Sequence, residues 1–218
     1  MNNPARRIRQ LHALALAIGV LPAASLVLGA LTDGLGAEPI ERVTHVTGGW
    51  TLRFLLVSLA VTPLRRLFGW RWLAPLRRTF GLIAFSYAFL HFLTFIGLEH
   101  FFHWELILED VLKRRYVTAG FAALLCLVPL AATSTRAMMR RLGRRWNTLH
   151  RLAYLAAILG TIHFLWLVKV DLREPLVYAA VLGLLLGARL WLRLKRSPAS
   201  CQQLRETSTR NAGASPEC

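Results

Sequence analysis

The chain is built from recurring apolar stretches with charged connections, a pattern that makes an integral membrane protein the leading class. The stretches are Leu11–Leu31, Gly48–Pro63, Thr79–Leu98, Tyr116–Ala132, Thr148–Val168 and Pro175–Leu194. A helix needs about 20 mostly apolar residues to cross a hydrocarbon core about 30 Å thick. Each stretch meets or approaches that length, the second being the shortest. A content of 55% hydrophobic residues and a mean hydropathy of +0.45 place the whole chain in the same class. The first stretch is interrupted by Pro22 and is longer than the apolar core of a signal peptide, so it reads as a retained span. The expected architecture is all-α, an integral membrane six-helix bundle. Residues 11–194 form the membrane domain between a basic segment, 1–10, and a Ser/Arg/Gly-rich tail, 195–218, that reads as disordered.

The net charge of +16 invites a nucleic-acid reading, but its distribution excludes one. Twenty of the 27 arginines and lysines fall in the N-terminal segment, the second and fourth connections and the C-terminal end. Nine of the eleven acids fall in the other connections. That asymmetry is the topology signal of a multi-pass inner-membrane protein with both termini cytoplasmic. The arginine-rich fourth connection also offers a docking surface for an anionic cofactor or an acidic donor. Cys126 lies within a span, and Cys201 and Cys218 lie in the tail. Without a CxxC or Cys/His cluster, neither a zinc site nor a disulfide framework is expected.

Histidines inside the spans are the chemically informative residues. His91 lies twelve residues into the third stretch and His163 fifteen into the fifth, both counted from the arginine-rich side. At about 1.5 Å per residue the two depths are roughly 18 and 22 Å, equal within the uncertainty of helix ends. Two imidazoles at one depth on separate helices can hold one haem iron from both faces. Such ligation fills both axial positions and favours electron transfer over oxygen binding. The bland alternative is a histidine that bonds a neighbouring helix. His150 stands near the arginine-rich end of the fifth stretch, level with Arg77 of the third. That pair would suit a second haem with an unusual ligand, a haem propionate, a flavin phosphate or a quinone. On one straight helix His150 and His163 would stand roughly 140° apart. His12 and His45 read as interfacial, and His100 and His103 in EHFFHW read as part of an aromatic belt. Gly183 and Gly187 form a weak GxxxG-like packing pair.

The third-span SYAFLHF, the stretch RRWNTLHRLAYLAAILGTIHFLW and six spans of this length resemble the ferric-reductase-like transmembrane cytochromes b. Within that family the similarity, over residues 10–195, is to the haem-binding membrane subunits of bacterial methionine sulfoxide reductase systems. The resemblance implies haem b, with His91, His163 and His150 as ligands. It also implies FMN as a further cofactor and the quinone pool as electron donor. The implied partner is a periplasmic molybdopterin methionine sulfoxide reductase that repairs oxidised proteins. Larger relatives carry a second third-span histidine where this chain has Arg77. About 24 residues follow the sixth stretch, too few for a nucleotide-binding βαβ unit of more than about 30 residues. The expected donor is therefore quinol or a separate cytoplasmic flavin reductase. No general acid or nucleophile is required, and no catalytic residue is expected. Rival readings are a stand-alone transmembrane metal reductase, or a small transporter or assembly protein without haem.

Overall fold

In the computed structural model, residues 4–168 and 171–195 are described. The C-terminal tail expected to be disordered lies, apart from Lys195, outside the described residues. All regular structure among the described residues is helical: α1 Pro4–Leu31, α2 Pro39–Leu67, α3 Leu76–Thr94, α4 Trp104–Lys113, α5 Arg115–Ala132, α6 Arg136–Leu142, α7 Arg144–Leu149, α8 Leu152–Leu167 and α9 Arg173–Leu194. Six helical stretches are long and apolar enough to cross a membrane. The chain is an all-α, multi-pass membrane bundle.

The core lies where α2, α3, α5 and α8 meet, with α9 closing one side. Phe54, Leu55 and Leu59 of α2 pack with Ala84 and Tyr87 of α3, Leu127 of α5 and Ala156 and Ala157 of α8. The small residues of α8 matter, because lipid supplies no hydrophobic drive between helices and close van der Waals approach must replace it. Helix α1 is held to α3 by a local defect. Pro22 removes a backbone donor inside α1, and the Tyr87 hydroxyl inserts nearby. It accepts from Ala23 N at 3.0 Å and donates to Gly19 O at 2.7 Å, bridging one turn of the α1 ladder. Backbone groups loosened by proline in lipid are satisfied this way by neighbouring helices.

Several sequence boundaries shift. The segment expected to be a loop up to Thr47 is helical from Pro39, so α2 is 29 residues long and Pro63 lies inside it. Proline at the helix start fits, since its missing donor would be unpaired there anyway. The connection expected between Glu99 and Arg115 contains the amphipathic helix α4, preceded by a π-helical turn at Phe95–Glu99. The arginine-rich connection contains α6 and most of α7. The regular α-helical bonding of the fifth span is interrupted at His150 and Arg151, between α7 and α8.

Candidate functional site: two pinned imidazoles in one cavity

His91 sits one turn from the end of α3, opposite the polar first third of α2. Its Nδ1 lies 3.0 Å from the Thr44 carbonyl oxygen and 3.3 Å from Thr47 Oγ1. His163 sits one turn from the end of α8, opposite the start of α5, with Nδ1 2.6 Å from the Tyr116 carbonyl oxygen. A carbonyl only accepts, so each Nδ1 carries the proton and donates. Each Nε2 then keeps its lone pair. That is the tautomer and orientation in which a histidine serves as a metal ligand steered by a second hydrogen bond.

The two rings have centroids 6.1 Å apart and planes at 78°. Both line one cavity of about 540 Å³ between α2, α3, α5 and α8. Its walls include Leu52, Leu55, Phe92 and Leu124, and its mouth, at the end of the molecule that carries the acids, includes Glu38, Glu41, His45 and Glu99. A largely apolar cavity with a few converging polar groups is the ordinary form of a cofactor site.

Each imidazole faces a glycine. A Cβ on Gly48 would meet His91 Cε1 at 3.1 Å, and one on Gly120 would meet His163 Nδ1 at 2.8 Å. The absent side chains let α2 and α5 approach the rings closely enough for Thr44 and Tyr116 to bond them. Sequence reading passed over these four residues, because a carbonyl has no sequence signature. The glycines within apolar stretches were the available signal, since glycine there marks close approach.

The donor set fits a haem. Among the described residues no group of three or more His, Cys, Asp or Glu could hold a metal ion, which disfavours a site built from protein ligands alone. Two imidazoles that each leave Nε2 free in an apolar cavity would suit a haem, which needs few protein ligands.

His150 and Arg77 form a separate level at the arginine-rich end. His150 caps α7, stacks on Trp146 at 3.8 Å between centroids and directs Nδ1 to the Trp146 carbonyl at 3.1 Å. Trp146 is fixed in turn by its Nε1 donating to Thr133 O at 3.1 Å. Arg77 is the second residue of α3, with its carbonyl bonded by Ser58 Oγ at 2.8 Å. Neither His150 nor Arg77 lines the cavity of His91 and His163.

The remaining histidines divide. His12 Nδ1 lies 2.7 Å from Thr79 Oγ1, and His45 pairs with Glu41 at 3.5 Å. His100 is not a plain belt residue: Nε2 lies 3.2 Å from Asp110 Oδ2, while Arg114 holds Oδ1 at 3.0 Å. This partly buried cluster ties α4 to the π-helical turn.

Residues 47–161 match the family described as ferric reductase like transmembrane component. The protein-methionine-sulfoxide reductase heme-binding subunit MsrQ of Rhodospirillum rubrum is 56% identical over 163 residues, covering 74% of this chain and 78% of that protein. The MsrQ of Herminiimonas arsenicoxydans is 50% identical over 182 residues, with 82% and 84% covered. That of Azospira oryzae is 46% identical over 192 residues, with 87% and 82% covered.

Proposed function

The chain belongs to the ferric reductase-like transmembrane family and, within it, to the MsrQ proteins, and from that membership we propose that it is the haem-binding electron-transfer subunit of a protein-methionine-sulfoxide reductase. The observation that carries the proposal is the pair of Nδ1-bonded imidazoles, 6.1 Å apart in one cavity. His91 and His163 would hold haem b there, and the bound haem would supply reversible one-electron transfer. Thr44 and Tyr116 fix the tautomer and ring direction. Leu52, Leu55 and Leu124 exclude water, and Gly48 and Gly120 leave room for the rings.

In the finer reading, the arginine-rich end faces the cytoplasm of a bacterial inner membrane, with both termini on that side. Electrons come from the quinone pool or a cytoplasmic flavin reductase. The acceptor is a periplasmic molybdopterin methionine sulfoxide reductase, met at the end where the cavity opens. His150 and Arg77 form a second, weaker cofactor level. The groove lined by Met138, Arg141, Leu142, Arg144 and Arg145 supports an anionic guest at that end, the phosphate of FMN or an acidic donor surface.

The test is a reduced-minus-oxidised spectrum of purified protein with a pyridine haemochrome assay. A low-spin b-type spectrum near one or two haems per chain is expected. A well-folded sample without haem would overturn the reading and return the histidines to packing roles.

A further inference from the structure

Arg53 is the one arginine of α2 far from both helix ends. Fourteen residues of α2 precede it and fourteen follow, about 21 Å of helix on each side. In the apolar stretch Gly48–Pro63 it is only the sixth residue, and the start of α2 at Pro39 moves it to the middle of the helix. Its side chain is exposed, which in a membrane bundle means that it faces lipid. A charged group there is costly and marks a functional site by default.

The guanidinium is held in place. Nε donates to the Tyr178 hydroxyl at 2.7 Å, and the group lies over the Trp50 ring at 4.9 Å. Tyr178 is the sixth residue of α9, so the arginine reaches back toward the acidic end. Among the described residues no oxygen accepts from the Arg53 Nη groups, and none accepts the Tyr178 hydroxyl proton. Two sets of donors therefore stand side by side in the lipid-facing seam between α2 and α9. In hydrocarbon such donors require an acceptor. Tyr178 also lines the imidazole cavity and packs at 5.7 Å on Phe164, the neighbour of His163. An occupant of this seam would touch the wall of the redox site.

We infer that Arg53 and Tyr178 form a lateral docking site for the carbonyl head group of a membrane-dissolved quinone. A quinone offers acceptor oxygens and no charge, travels in the bilayer, and can reach a seam that water cannot. A phospholipid phosphate could use the same donors, but proximity to the cavity wall gives it no role. The inference rests on the proposed electron-transfer reading and names where its quinone binds.

The experiment uses full-length protein in lipid nanodiscs with decylubiquinone and decylubiquinol as probes. Calorimetry gives the Kd of the quinone. Stopped-flow absorbance gives haem reduction by the quinol, where one quinol releases two electrons and two protons and reduces two ferric irons to ferrous. Arg53→Gln is expected to weaken binding and slow quinol-driven reduction by about tenfold or more, as loss of a charged donor implies. Its haem content and dithionite-reduced spectrum stay those of the wild type. Tyr178→Phe keeps the ring and removes the donor, and weakens binding by about threefold. Wild-type binding and kinetics in both variants would overturn the site. So would loss of phosphatidylglycerol from Arg53→Gln, read by mass spectrometry, with quinone binding unchanged, since the donors then serve a lipid head group. Haem loss in Arg53→Gln would assign the guanidinium to the haem instead. A wild type with haem that binds no decylubiquinone sinks this inference alone. A wild type without haem sinks the electron-transfer reading, while calorimetry still reports on Arg53.

Discussion

The two ends of the bundle each carry a histidine near a polar neighbour, yet only one end is built as a socket. At the acidic end, His91 and His163 come from different helices, and each Nδ1 is bonded to a carbonyl of a third or fourth helix. Each ring has a glycine opposite it, and both open into a common cavity. At the arginine-rich end, His150 caps a six-residue helix and leans on Trp146 of the same helix. A ligand pair needs rings whose positions are set independently of the cofactor. Tertiary contacts supply that at one end, whereas at the other the local chain holds its own histidine.

The largest test of the comparison is His163→Ala. It should abolish the b-type spectrum attributed to the cavity, as should His91→Ala, and retained haem content would break the assignment. Gly120→Ala comes next. Its methyl group would stand 2.8 Å from His163 Nδ1, so the ring must move and its bond to Tyr116 must lengthen. Loss of such a supporting bond typically costs about tenfold or more in metal affinity, to be read by titrating haem into the apoprotein. Gly48→Ala, with a first contact of 3.1 Å at His91 Cε1, should do the same more weakly, with a shifted reduction potential as its clearer sign. Arg77→Ala and His150→Ala should change any signal of the arginine-rich level and leave the His91–His163 haem in place. Equal loss of both signals would merge the two levels into one. The smallest effect is expected from Glu109→Gln, which breaks the exposed 2.6 Å pair with Lys113 and should leave both haem content and thermal unfolding unchanged.

The histidine pair was legible because a polar ring in an apolar run stands out, and helical rise converts residue counts into depth. The interruption of α-helical bonding at His150 and Arg151 was not legible, because no residue type there breaks a helix. The start of α2 was also missed. Its first turns carry Glu41 and His45 and resemble a loop by polarity, yet they rise beside the cavity mouth and bring Thr44 to His91.

The sequence by itself determined the number of apolar stretches, the segregation of charge and the depth of each intramembrane histidine. These follow from residue type and a fixed rise of about 1.5 Å per residue, which need no neighbour. Only the tertiary structure decided which carbonyls hold the imidazoles, which glycines make room for them, and that Arg53 of α2 meets Tyr178 of α9. Those depend on how helices rotate and approach one another. In a bilayer that choice rests on close packing and the pairing of polar groups, which no single stretch contains.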